Sequence, residues 1–533
     1  MELVIWIQPI DDRGRRSRKF LERVLSAGRH ALYGLYSAID RRAFSVAPDP
    51  FAAVHIAASV GDIPEQRVRA VRLPSGDHYD DEDVAAIERA QLDVVLNLGT
   101  HPLGDRMLDV ATHGVWWCAQ SATGERSMLP GVWEVMERRP TTTLEVRVHD
   151  RRTPTGRVID RSHLRTQRFS AARNRARLYR KSITLLTLRL RELHEVGRPA
   201  EATHEGSASA TTPRAPARRG RPGNIDTLTA VVGIGTFALR RVLQRGHWPG
   251  GWFIAYRRHD DIASDDALRL VPEQFATLRP PPDHFWADPF PAFVDGRHFI
   301  FFEDYVFATG KGHIGVTEVR ADGRCSAPVP VLEREYHLSY PFVFEWAGDH
   351  YMVPETVAAG RIEVYRATDF PYRWEFHSVA LDGIRAVDPT IVEWDGRWWM
   401  FASAAQEPVA DALDLNEQLH LFHSTSPLGP WTPHRRNPVK WDARGSRPAG
   451  RFFQVDGELY RPAQDCTERY GGSIRILRVV RLDLDEYVET EVATIEPEWR
   501  PDLIGTHTIN VVPGLAVIDG RLSYAAARCA SVG

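Results

Sequence analysis

Cysteine is scarce in this 533-residue chain: Cys118, Cys325, Cys466 and Cys529 stand far apart and form no CxxC pair. That excludes a disulfide framework and a cysteine zinc site as organising devices, and a reduced, cytoplasmic protein is expected. An excess of basic charge is missing too. Lys and Arg number 67 against 70 Asp and Glu, a net charge of −3, which argues against nucleic acid as a partner. The start, MELVIWIQPIDDRGRR, has no basic stretch leading into a long apolar run, so a first buried strand is expected rather than a secretory signal. The longest later apolar run, LTAVVGIGTFAL (228–239), falls short of the ~20 residues a bilayer span needs, so no transmembrane segment is expected. It is expected to pack on the C-terminal domain. The alternative is a place on a membrane surface, with Arg240, Arg241 and Arg245 at its end. Residues 199–224 hold no large apolar side chain and are rich in Ala, Pro, Ser, Thr, Gly and Arg, which predicts a disordered linker.

What is present divides around that linker. Residues 1–198 alternate strand signals (LVIWI 3–7, AAVHIAA 52–58, DVVLNLG 93–99) with helical ones (18–39, and 80–91 with its acidic first turn). The alternation predicts an α/β domain with a mostly parallel sheet. Residues 225–533 repeat one pattern of strand, tight turn and strand, with turn glycines Gly296, Gly348, Gly396, Gly457 and Gly520 spaced 52, 48, 61 and 63 residues apart. Such a period predicts a five-bladed all-β propeller. WFIAYRR (252–258), ahead of the first repeat, is expected to complete the last blade, because closure removes sheet edges.

The repeats align polar residues. Asp288, Tyr340 and Asp388 stand eight positions before their turn glycine, and Glu303, Glu355, Ser403 and Gln464 stand seven after it. Asp288 and Asp388 precede proline, which predicts an extended conformation that fixes each carboxylate's direction. Arg447 takes the pre-proline place in the fourth blade, Asp465 adjoins Gln464, and His507 and Asn510 come from the fifth. Two carboxyl groups flanking a glycosidic bond can protonate the leaving oxygen and activate water or attack, and crowding raises the pKa of at least one. Asp288, Glu355 and Asp388 are therefore the candidate catalytic residues. Glu303, Tyr340, Arg447, Gln464, Asp465, His507 and Asn510 are the candidate substrate-binding residues. A bland alternative reads Asp-Pro and Asp-Gly as turn dipeptides.

From HFWADPFPAFVDG through YHLSYPFVFE, VPET, AVDPTIVE, RPAGR, RPAQDC and GTHTIN, this half resembles the N-terminal domain of plant glucosamine inositolphosphorylceramide transferase and its bacterial relatives. More broadly it resembles the five-bladed propeller glycosidases. The second resemblance implies that Asp288 is base or nucleophile, that Asp388 tunes and orients, and that Glu355 is the candidate acid. The first half resembles a formyltransferase fold, Rossmann-like, through LDVVLNLG, HGVWWCAQSA and LPGVWEVMERRPTTTLEV. Ala119 and Pro154 replace that family's His and Asp, so a degenerate, non-catalytic domain is implied and folate is not expected. The sequence thus points to a carbohydrate-active protein acting on a glycan or glycolipid head group, with a cation in the central channel near His507 left open. The alternatives are a non-catalytic module serving a separate glycosyltransferase and, further off, a sugar N-formyltransferase.

Overall fold

The computed structural model describes residues 6–10, 28–45, 65–73, 76–99, 103–119, 129–151, 153, 156–197, 220–245, 251–258, 274–405 and 412–523. The chain divides into two compact units, Met1–Leu239 and Arg240–Gly533.

In the first unit, strand Trp6–Ile10 runs parallel to Glu65–Leu73, which pairs antiparallel with Gly76–Tyr79. A second sheet sets Val95–Leu96 parallel to Val115–Ala119, then continues antiparallel through Thr141–His149 and Arg157–Arg165. Its helices are α1 (Ala31–Ala43), α2 (Asp81–Glu88), α3 (Val132–Met136), α4 (Ala171–Val196) and α5 (Asn224–Arg245). The unit holds both helices and strands, but the expected α/β domain with a mostly parallel sheet is not what they form: among the described residues only two strand pairs are parallel. Helix–strand alternation fixes the class of elements and says nothing about strand direction. The formyltransferase-like assignment gains no support from this mixed arrangement. Ala119 is a buried strand residue that offers no polar side-chain atom, and Pro154 lies outside the described residues, as does the strand expected at 52–58.

The boundary also differs from expectation. Helix α5 was expected with the propeller, yet its Ala230 and Ile234 pack with Tyr33, Val132 and Val135 of the first unit. Leading into it, Gly220 O accepts from Trp133 Nε1 at 3.0 Å and Pro222 O lies 2.8 Å from His30 Nδ1. Residues 220–224 of the expected linker are therefore bound to the first unit, while 199–219 lie outside the described residues.

The second unit is a ring of five antiparallel sheets. Blade 1 runs through His284–Val294, Arg297–Val306, Lys311–Val319 and Val329–Leu332; blade 2 occupies 339–381, blade 3 385–441 and blade 4 453–495. In blade 5, Ile509–Val512 and Leu503–Gly505 both pair with Leu515–Leu522, whose other edge takes Trp252–Arg258. The early strand closes the ring as expected. Apolar clusters join successive blades: Phe290, Phe342 and Met400 across blades 1 to 3, Phe401 with Phe452 across 3 and 4, Ile476 with Ile518 across 4 and 5, and Val517 with Ile300 across 5 and 1.

One hairpin differs from the sequence pattern. The fifth turn is at Gly514 (φ +77°), between Val512 and Leu515, and Gly520 lies inside a strand. The other four turns pair a residue of positive φ with glycine, Asp295–Gly296 for example, the backbone that a two-residue turn requires.

Three inner strands share a second irregularity. Pairing skips Asp288–Pro289, Tyr340–Pro341 and Asp388–Pro389, and the first residue of each has φ of +51°, +47° and +52°. The expected extended conformation is absent, and each residue sits in the left-handed region that costs a non-glycine residue about 1–3 kcal/mol. The repeated bulge turns these side chains out of the ladder.

Blades also meet through polar contacts near the axis. Gly450 N donates to Tyr340 Oη at 2.8 Å, and Tyr340 Oη lies 2.8 Å from Thr390 Oγ1. Gly450 has φ +132°, and a Cβ there would stand 2.1 Å from Ile509 O. Gly450→Ala is therefore expected to lose at least about 2 kcal/mol in denaturant unfolding, since backbone has to move to admit the methyl. A change within about 0.5 kcal/mol would show that blades 4 and 5 do not approach this closely.

Candidate functional site

The bulges of blades 1 and 3 bring Asp288 and Asp388 to the same end of the ring, and each heads a buried cluster. Asp288 Oδ1 accepts from Thr508 Oγ1 at 2.7 Å and lies 3.6 Å from His507 Nε2. His507 Nδ1 stands 2.5 Å from Asp519 Oδ2, and its ring stacks on Trp252 at 4.0 Å. Asp519 is fully buried and also accepts from the backbone N–H groups of His507 and Thr508 at 2.8 and 3.0 Å. It fixes both the position and the charge of the imidazole.

Arg447 organises the second cluster. Its Nε donates to Asp388 Oδ2 at 2.6 Å, and its Nη2 donates to Asp388 Oδ1 at 3.2 Å and to Glu355 Oε2 at 3.3 Å. Nη1 reaches Asn416 Oδ1 at 3.0 Å, and the guanidinium lies 4.7 Å from the centre of the Tyr470 ring. Gln464 Nε2 adds a bond to Asp388 Oδ2 at 2.9 Å. With a side chain only 1% exposed, Asp388 holds the arginine in place beneath the surface, whereas Glu355 at 8% and Arg447 at 11% lie nearer solvent. Glu303, from blade 1, is buried with its Oε1 3.5 Å from His337 Nε2.

The charges here behave unlike structural ones. Burial pushes Asp288 up to about 6, with Asp388 and Asp519 adding to the rise and His507 and Thr508 opposing it. Glu355 rises well above the ordinary carboxylate range through burial and Asp388, against the pull of Arg447. Glu303 rises likewise, through burial and then the charges of Asp288, Glu355 and Asp388. Burial alone lowers His507, yet Asp519 and Asp288 outweigh it and hold the imidazole above its ordinary value. Blade 4 supplies the contrast. Glu489 is just as buried, but Arg461 and Lys440 overcome that penalty and hold it well below its usual range. A structural ion pair keeps its acid charged, while Asp288, Glu303 and Glu355 are biased toward the protonated form.

Of the ten residues expected from the sequence, Asp288 and His507 form the first cluster, Asp388, Glu355, Arg447 and Gln464 the second, and Glu303, beside His337, feels the charges of Asp288, Glu355 and Asp388. Three do not offer themselves to a ligand. Tyr340 Oη is occupied by Thr390 and Gly450, and Asn510 joins Pro289 O to Arg451 N at 2.8 and 2.6 Å. Asp465 turns to Arg475 at 2.6 Å and to Thr467. Residue type and spacing identified the positions, but a polar side chain at a blade junction can equally well stitch the blades together. Sequence reasoning missed Asp519, Thr508, Asn416, Tyr470 and His337. Asp519 was hidden because Asp519–Gly520 mimics a hairpin turn; the Pro513–Gly514 pair was the signal that could have corrected the register. Asp288, His507 and Asp519 also place ligand atoms within 4.8 Å of one another, the arrangement among the described residues that could hold a metal ion. With His507 protonated, the imidazolium itself supplies the counter-charge.

Residues 275–500 match the family described as glucosamine inositolphosphorylceramide transferase 1, N-terminal. Glucosamine inositolphosphorylceramide transferase 1 of Arabidopsis thaliana is 39% identical over 214 residues, and that of Oryza sativa subsp. japonica 37% over 214. Each alignment covers 40% of this chain and 28% of the relative, so the match spans less than a third of those proteins. Among solved structures, a thermostable family-43 glycoside hydrolase is similar with a TM-score of 0.31 and 14% identity, over 40% of this chain and 76% of that one. The C-terminal half thus resembles the N-terminal domain of the transferase family.

Proposed function

We propose that the propeller mouth binds the sugar head group of a glycan or glycolipid and acts on a glycosidic bond there, by hydrolysis or transfer, in glycoconjugate assembly. The observation that carries this reading is that Asp288, held near 6, adds its charge to the rise of Glu355, which stands well above the ordinary carboxylate range while Arg447 pairs with it and with Asp388. Glycosidic chemistry needs one carboxylate and one carboxylic acid at the same pH. In this reading Asp288 is the base or nucleophile, Glu355 the proton donor, and Asp388 a positioning residue acting through Arg447. The name of the plant relatives, glucosamine inositolphosphorylceramide transferase 1, supports a glycolipid as the substrate class. A cytosolic location and a partner glycosyltransferase belong to the same proposal.

A second reading, a binding module without turnover, is favoured by how many hydrogen bonds the acids already make within the protein. A screen of glycans and glycolipid head groups, with affinity and product both measured, separates the two. The enzyme reading expects Asp288→Asn to keep ligand affinity within about 1–3 kcal/mol while losing turnover. The module reading expects the same modest loss of affinity with no product from either protein. Wild-type binding and turnover in both Asp288→Asn and Asp388→Asn would remove the site from the account.

A further inference from the structure

Two helices of the first unit carry apolar stripes that are exposed among the described residues. Helix α5 exposes Ile225, Leu228, Val232 and Leu239 to between 57% and 81%, at helical spacing, while Thr227 and Ala230 on its other side are buried. Helix α1 exposes Leu35 and Ile39, both at 58%, and buries Tyr33. The stripes start at one corner: Asn224 Oδ1 accepts from Leu32 N at 3.0 Å, and Asn224 Nδ2 donates to Gly28 O at 2.9 Å. Both helices anchor on one core cluster, through Tyr33 and Tyr36 from α1 and Ala230 and Ile234 from α5. Exposed apolar stripes on two helices joined at one corner are uncommon on a surface that meets only water.

Its charge identifies the occupant. Residues 28–45 and 220–245 contain seven arginines, no lysine and two acids, Asp40 and Asp226, in a chain whose net charge is −3. Arg29, Arg41, Arg42 and Arg221 are exposed. Neither acid offsets them freely, since Asp40 is buried and accepts from Ala172 N, while Asp226 Oδ2 accepts from Gly223 N. Arg214, Arg218 and Arg219 stand just ahead in the sequence. Apolar stripes flanked by arginine match a bilayer with anionic headgroups, where the side chains enter the acyl boundary and the guanidinium groups meet phosphate. A second copy of the same face would instead bring like charges together. Among the described residues no helix is long and apolar enough to cross a membrane, so the helices would lie on the surface.

We propose that α1 and α5 form a docking face for an anionic phospholipid bilayer. The face is built from helices anchored on the core of the first unit and does not depend on the function proposed for the propeller mouth. The test is co-sedimentation of the full chain with phosphatidylcholine vesicles, with and without phosphatidylglycerol. Wild type should sediment with the anionic vesicles and lose that binding as salt rises. Leu228→Asp combined with Val232→Asp should weaken partitioning at least about tenfold, and Leu35→Asp should weaken it in the same direction. Melting temperatures should stay at the wild-type value, because the side chains replaced are exposed. Wild type remaining in the supernatant with both vesicle types, or variants binding as wild type does, would overturn the proposal. So would a concentration-dependent dimer, dissolved by the same substitutions, in a protein that ignores vesicles.

Discussion

Asp288→Asn is expected to melt at a higher temperature than the wild type near neutral pH. The sign follows from the direction of the shift. Asp288 titrates at about 6 in the folded chain against 3.8 for an unperturbed side chain, so between those values the folded state holds more protons than the unfolded one. Stability then falls as pH rises through that window, the reverse of a salt-bridged aspartate. Above it, the buried charge costs about 3 kcal/mol relative to an unshifted group. Asparagine has no charge to desolvate and keeps an oxygen to accept from Thr508. Thermal melts of both proteins across this range check the argument: the gap should be widest near neutral pH and close toward pH ~4. A variant that melts lower than wild type at neutral pH would mean that His507 and Thr508 stabilise the carboxylate more than burial penalises it.

Arg447→Met should have the opposite and larger effect. The side chain neutralises Asp388 through two hydrogen bonds and reaches Glu355 with the same nitrogen. Removing it leaves buried carboxyls without a counter-charge, a loss of about 3–5 kcal/mol when one partner of a buried pair is deleted. The deficit should shrink as pH falls, because a carboxyl without its partner can shed its charge by taking up a proton. Adding Asp388→Asn to the variant should restore part of the stability, since the double change deletes both charges. Denaturant unfolding of the two single variants and the double variant gives the coupling directly. Equal losses at neutral and acidic pH, with no recovery in the double variant, would show that Arg447 matters through packing rather than charge.

Four blades were legible because a hairpin is local: a glycine turn such as Asp295–Gly296, flanked by alternating strands, declares itself within fifteen residues. The same economy misled in the fifth. Asp519–Gly520 has the composition of such a turn, yet its aspartate is the buried partner of His507. Composition carries no register, and the closing contact with Trp252–Arg258 comes from the far end of the unit. The conformation of Asp288 and Asp388 was illegible for a related reason. Proline biases its predecessor toward extended backbone, and only the repeated bulge, a property of the strand pair, overrides that bias. For α5 the apolar run (228–239) marked a buried or membrane-facing segment, but not which unit would receive it. Tyr33 and Val132 settle that, from positions almost a hundred or more residues earlier in the chain.

The central claim is that the mouth of the propeller works through one ionised and one protonated acid. It is tested most directly by the pH dependence of kcat/KM on whichever glycan or glycolipid head group the screen identifies, for wild type and for Asp288→Asn. The account predicts turnover by the wild type with an acidic limb near 6, as Asp288 gains its proton, and a decline on the alkaline side as Glu355 loses its own. Asp288→Asn should show no turnover at any pH while still binding the ligand. Equal turnover by the two proteins, or a wild-type profile without an acidic limb, would contradict it.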